Sequence, residues 1–159
     1  MNELPDGWSE VALAEVAEVT LGQSPPGSSY NEDGEGTPFL QGKKEFGEMY
    51  PEIAKWTTEP KKFASAGDIL LSIRAPVGPT NIAPMDCAIG RGLHAIRPTG
   101  TIDRDYLLWG LRSTAHVLAS QATGSTFEAV SGKQVKEHRL ALAPLAEQQR
   151  MVAAIEELF

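Results

Sequence analysis

The chain has 159 residues, 42% hydrophobic and 22% charged, with a formal net charge of −7. That length suits one domain with a buried core, and no apolar run approaches the roughly 20 residues of a membrane-spanning helix. Cys87 is the only cysteine, which excludes a disulfide framework or a cysteine-based zinc site, and the N-terminus has no signal-peptide pattern, so a cytoplasmic location with no membrane partner is expected.

Charge is distributed unevenly. Residues 1–42 carry eight acids and no Lys or Arg, whereas residues 43–139 carry thirteen bases against ten acids. The middle of the chain is therefore mildly cationic between acidic ends. Such a domain can touch a polyanion but does not grip one by charge alone, because affinity scales with the number of phosphates neutralised.

In chain order, Trp8–Leu21 reads as a short helix with Leu13, Val16 and Ala17 inward, running into a strand near Val19–Leu21. Gly22–Pro38 is a long loop rich in Gly, Pro, Ser, Asn and Asp, and long loops in compact domains are usually functional or disordered. Phe39–Leu40 starts a further strand, followed by a charged and aromatic stretch with no clear period. Gly67–Pro98 then carries two apolar strands, Ile69–Ile73 and Leu93–Ile96, joined by a long connection rich in Pro and Gly. Asp103–Ala122 is the strongest helix: Leu107, Leu111, Ala115, Leu118 and Ala122 recur at helical spacing, Asp103 or Thr101 caps the start, and Gly124 can end it. A Gly/Ser loop, a helical turn and a strand at Arg139–Leu142 follow. Pro144 opens a last amphipathic helix with Met151, Val152, Ile155, Leu158 and Phe159 along one stripe. The three tryptophans, Trp8, Trp56 and Trp109, are expected in the core. The pattern predicts an α/β (α+β) domain, a twisted mixed or antiparallel sheet with packed helices.

Catalytic patterns fail one by one. His94, His116 and His138 stand apart from one another with no metal-ligand spacing, and Gly90-Arg91-Gly92 lacks the third glycine of a dinucleotide fingerprint. The Gly-to-Gly-Lys stretches ending at Lys43 and Lys133 have the wrong glycine spacing for a phosphate loop, and no Ser or Thr follows either lysine. Glu52 with Glu59-Pro60-Lys61 loosely mimics a Mg²⁺-dependent nuclease set, but Pro60 would remove a ladder donor between the ligands, and a charged surface loop is the simpler reading.

Arginines stand at the strand edges: Arg74 after the first strand of the Gly67–Pro98 unit, Arg91 between two glycines, and Arg97 before Pro98. Glycine permits close backbone approach, and guanidinium groups make bidentate contacts to phosphate or guanine, so the unit suits a rigid sheet presenting cationic loops. Each arginine taken singly also fits a solvated strand end.

Four segments in order carry a resemblance: LPDGW at Leu4–Trp8; Gly22-Gln23-Ser24-Pro25; GDILLSIRAPVG with AIGRGLHAIRP; and GSTFEAVSGKQV with LALAPLAEQQRMVAAIEELF, in which Pro144–Gln149 is the most diagnostic piece. Together they resemble one target-recognition domain of the DNA-specificity (S) subunit of type I restriction–modification systems. The resemblance implies recognition of half of a split duplex DNA site by residues 1–143, and a spacer or dimerisation helix beginning at residues 144–159. The chain then stands as a truncated form, a natural half subunit or a degenerate one. It further implies that this chain has no catalytic centre and binds no cofactor. S-adenosylmethionine would sit on partner adenine-methyltransferase (M) subunits, and ATP and Mg on a restriction (R) subunit where one joins.

Base readout requires a few Arg, Lys, amide or hydroxyl side chains on rigid loops. The candidates are Gln23, Ser24, Gln41, Lys43, Lys44, Arg74, Asn81, Arg91, Ser125, Thr126, Lys133, Gln134 and Lys136. For Ser125 and Thr126, helix capping explains the residues equally well; for Tyr30, loop packing and base contact weigh the same. Met151, Val152, Ile155, Leu158 and Phe159 are the candidates for docking an M subunit or a second copy in a homodimer. The rival readings are a non-DNA interaction module that docks through its last helix and a nuclease built on Glu52, Glu59 and Lys61.

Overall fold

The computed structural model describes residues 3–123 and 128–158. Ser125, Thr126 and Phe159, named above as candidates, and Gly124, named as a helix stop, lie outside them. No helix among the described residues is long and apolar enough to cross a membrane.

The elements in order are β1 (Ser9–Ala12), α1 (Leu13–Val16), β2 (Ala17–Leu21), β3 (Tyr30–Asn31), β4 (Thr37–Leu40), β5 (Lys55–Thr57), β6 (Phe63–Ala64), β7 (Ile69–Ser72), β8 (Thr80–Ile82), β9 (Cys87–Ile89), β10 (Leu93–Pro98), α2 (Arg104–Ser120), α3 (Gly132–Lys136), β11 (Arg139–Leu142) and α4 (Leu145–Glu156). The α+β class is as expected, but the strands divide among three sheets. β1 and β11 form an antiparallel pair, β2-β10-β7-β8 an antiparallel sheet, and β3-β5-β4-β9-β6 a mixed sheet in which β4 and β9 run parallel. The Gly67–Pro98 unit is correspondingly no simple hairpin. Its connection carries β8 into one sheet and β9 into the other.

The four-stranded sheet lies between two apolar layers. Ile69, Leu71 and Ile96 pack with Leu107, Leu108, Leu111 and Leu118 of α2 and with Val135 of α3. The alternate residues Leu70, Leu93 and Ala95 pack with Leu40, Cys87 and Ile89 of the five-stranded sheet. A sheet covered on both faces reads as a continuous apolar run rather than an alternating one, which is why all four residues of β7 are buried. Burial pushes the Cys87 thiol up to about 12, reinforced by the negative charge of Asp68 and Asp86, so it remains a protonated core residue.

α2 starts where Asp103 accepts hydrogen bonds from the backbone N–H of Asp105 and Tyr106, an N-cap legible in the sequence. Arg112 fastens it to the sheet by donating from Nε to Thr80 Oγ1 at 2.9 Å and from its terminal nitrogen to the Thr80 carbonyl. The tryptophans are half-buried rather than core. Trp8 and Trp109 instead line an apolar groove of about 340 Å³, with Met151, Val152 and Ile155 of α4 on its other wall.

Candidate nucleic-acid interface

At one end of the two packed sheets, four strand ends open onto a cleft of about 1030 Å³. Ser24 and Pro25 follow β2, Gln41–Lys44 follow β4, Ser72–Pro76 end β7, and Arg91 and Gly92 precede β10. Two glycines make the approach of these segments possible. A Cβ on Gly22 would stand 1.9 Å from the Gly90 carbonyl oxygen, and one on Gly92 would stand 2.7 Å from that of Gln41. The segments are then tied together: Gly22 N–H donates to the Leu93 carbonyl, Gly90 N–H to that of Leu40, and Arg91 N–H to Ser24 Oγ.

Six of the sequence candidates meet in this cleft: Ser24, Gln41, Lys43, Lys44, Arg74 and Arg91. No carboxylate is among the described residues lining it. Of the seven arginines, Arg97, Arg104, Arg112, Arg139 and Arg150 have their guanidinium groups engaged within the chain. Arg74 and Arg91 have no side-chain partner among the described residues, and both face the cleft. Arg97 differs from them in kind. It clamps the buried Asp68 carboxylate with bonds of 2.9 and 3.1 Å and reaches Ser65 Oγ, so it holds two strand ends together.

Other candidates fall elsewhere. Gln23 is exposed beside Ser24, with its backbone N–H on the Ile89 carbonyl. Lys133 and Lys136 are exposed on α3, which packs against Leu21 through Gly132 and does not line the cleft. Gln134 sits there too, but its amide is consumed: the carbonyl caps Ser131 N–H and the NH₂ donates to the Gln121 carbonyl. Asn81 is corrected from reader to scaffold. It is buried, it exchanges hydrogen bonds with both backbone groups of Gly47, and it donates to the Thr80 carbonyl, so no polar edge reaches solvent. Lys61 and Lys62 are solvated. Glu52 and Glu59 are exposed on either side of β5, and no group of three or more His, Cys, Asp and Glu among the described residues could hold a metal ion.

Sequence reasoning missed one residue. Lys55 on β5 donates from Nζ to Gln41 Oε1 at 3.2 Å and lies 5.9 Å from the Tyr30 ring centroid. Tyr30 in turn packs its ring, tilted by 40°, against that of Phe39 with centroids 4.9 Å apart and donates its hydroxyl to the Pro25 carbonyl, so it serves loop packing and also lines the cleft. Lys55 lies in the stretch without period, where no pattern could mark it.

The last helix is corrected in part. Val152 is only 8% exposed and packs on the chain itself, so it is no docking residue, whereas Met151 and Ile155 are half-buried in the groove wall and Leu158 is 78% exposed. Gln148, within the diagnostic Pro144–Gln149 segment, is fully buried. It accepts from Asp103 N–H at 2.7 Å and donates to the carbonyls of Thr101 and Ala143, which joins the start of α4 to the cap of α2.

The chain is 39% identical over 164 residues to a Methanocaldococcus jannaschii protein named as the MjaX type I restriction enzyme specificity subunit, covering 99% of this chain and 39% of that one. Among solved structures, the HsdS subunit from Thermoanaerobacter tengcongensis matches with a TM-score of 0.89 and 42% identity, over 98% of this chain and 38% of that one. A chain from a structure of complex assembly and conformational transition in the type I R-M system matches with a TM-score of 0.90 and 43% identity, over 99% and 39%. The chain thus spans about 39% of the length of these relatives. The family model described as type I restriction modification DNA specificity domain matches residues 5–159, and with its ordered motifs carried on the same fold as solved HsdS, this chain belongs to that family.

Proposed function

We propose that the chain recognises a specific duplex DNA sequence through the cleft and delivers that site to a partner adenine methyltransferase, and to a restriction subunit where one is present. The observation that carries this reading is that Arg74 and Arg91, without side-chain partners among the described residues, converge with Lys43 and Lys44 on a concave surface whose described lining holds no carboxylate. Two arginines at strand ends and two lysines on the adjoining helical turn give a few well-aimed contacts rather than a uniformly basic face, as base readout demands and as an overall acidic chain permits. Catalysis and the cofactors S-adenosylmethionine, ATP and Mg belong to the partners. Methyltransferase docking falls to the free edge of the α2–α4 groove, where Met151, Ile155 and Leu158 remain accessible in part. The same stripe would serve a homodimer of such domains.

Selection from a pool of randomised duplexes tests the reading. The chain is expected to enrich a defined motif, with affinity falling as salt rises. Arg74→Ala and Arg91→Ala are each expected to weaken binding to that motif by about 1–3 kcal/mol. A log affinity that does not depend on log salt would favour the protein-interaction module instead.

A further inference from the structure

Lysine carries three donors and no acceptor, so the Gln41 amide atom facing Lys55 Nζ is its carbonyl oxygen. That single contact fixes the orientation of the amide. Gln41 Nε2 has no partner among the described residues, and the side chain lines the cleft. The backbone beneath is equally fixed: Gln41 N–H donates to Glu45 Oε1 at 2.8 Å, and its carbonyl oxygen and Cα press on Gly92 and Gly90. Lys55 is itself held, through Tyr30 and Pro25, by the cation–π contact and the tyrosine hydroxyl.

An unrestrained glutamine reads adenine by donating to N7 and accepting from N6–H₂ at once. Gln41 is ill placed to do so, because one of the two lone pairs of its carbonyl oxygen already accepts from Lys55, whose ammonium charge repels a second incoming N–H donor. Its neighbours in the cleft, Arg74, Arg91, Lys43 and Lys44, are donors without acceptors. Adenine N6 or cytosine N4 placed at the Gln41 NH₂, between the two arginines, would set donor against donor, whereas thymine offers one acceptor there, O4, and guanine two, O6 and N7, on one edge. On the footing of the DNA reading above, we infer that Lys55 is a positioning residue that turns the Gln41 NH₂ to the cleft as a donor, and that the base facing Gln41 is guanine, preferred over adenine and cytosine.

The test compares motifs enriched from one randomised duplex pool by the wild-type chain and by three variants. Wild type is expected to show a guanine position preferred over adenine by about tenfold to a hundredfold. Lys55→Met frees the amide to rotate, so that position should accept adenine within a fewfold of guanine while the rest of the motif is unchanged. Lys55→Arg keeps a donor at the carbonyl and should restore the guanine preference. Gln41→Glu keeps an acceptor for Lys55 but removes the NH₂, so the preference should turn to cytosine, whose N4 is a donor; this variant tests the inference even where Lys55→Met fails to fold. A wild-type motif that stays identical in Lys55→Met and in Gln41→Glu overturns the inference and leaves the DNA reading standing. A wild-type pool that yields no motif overturns both.

Discussion

Two glutamines divide the molecule. Gln148, at the junction of α2 and α4, has its amide fully spent: its carbonyl on Asp103 N–H and its NH₂ on the carbonyls of Thr101 and Ala143. Gln41, in the cleft, has its carbonyl on Lys55 and its NH₂ without a partner among the described residues. The arginines divide in the same way, Arg97 closed on Asp68 and the Arg91 side chain without a partner among the described residues. Residue type therefore says little about role in this fold; the partner inventory says most of it. A polar group whose hydrogen bonds close within the chain is architecture, and one left open on a rigid strand end is an invitation to another molecule.

The closed side breaks hardest. Gln148→Leu leaves the buried Ala143 carbonyl and the half-buried Asp103 N–H unmet, so a loss of about 3 kcal/mol in urea unfolding is expected, since each buried unmet group costs on the order of 1–3 kcal/mol. A loss below about 1 kcal/mol would mean that the junction closes without it. His94 offers a second lever. Burial, reinforced by Lys136, pulls its pKa down to about 4, below the ordinary 6.5, and its buried Nδ1 has no partner among the described residues. The unfolded chain therefore takes up the proton first. The contribution of neutral His94 is intact above about pH 6.5 and fades as pH falls towards 4, by up to about 3 kcal/mol at about 1.36 kcal/mol per pH unit. His94→Gln should flatten that acid limb of the stability curve.

How much of this was legible in the sequence follows from the same distinction. α2, α4, β11 and the buried run of β7 announce themselves because helical period, capping and apolar runs are local signals. The division into three sheets is not local: β9 leaves the sheet of β7 and β10 to run beside β4, a pairing nearly fifty residues away in sequence. In the site, the arginines and lysines beside glycines were visible because glycine marks close approach. Asn81 carries the right chemistry in the wrong place, since its side chain is folded onto Gly47. Lys55 carried no mark, because a lysine in an aperiodic stretch reads as surface until the fold brings it to Gln41. Gln148 explains why the Pro144–Gln149 segment is so characteristic, although no periodicity rule places a glutamine in a core.

Arg97 and Arg91 supply the next contrast, smaller in size and opposite in sign. Arg97→Ala strips a buried carboxylate of its charged donors and should cost about 2 kcal/mol of stability, with duplex affinity unchanged in the folded protein. Arg91→Ala removes no internal bond of the guanidinium, so stability should move by less than about 0.5 kcal/mol while duplex affinity falls. Crossed results, a stability loss for Arg91→Ala or an affinity loss for Arg97→Ala, would show that partner inventory does not sort these residues.

The finest prediction separates roles inside the cleft. Lys43 and Lys44 are compact, exposed charges on a one-turn helix at its rim, where a cation meets phosphate more readily than a base edge, and Arg74 and Arg91 stand at the strand ends. Each phosphate that is no longer neutralised lowers the slope of log affinity against log salt by about 0.9. Lys43→Ala with Lys44→Ala should therefore weaken binding by a similar factor on every duplex and shorten the slope by about 2, leaving the enriched motif unaltered. Gln41→Glu should do the reverse, changing the motif at one position. If the lysine pair altered the motif instead, the rim would be reading bases and the division of labour between rim and floor would have to be redrawn.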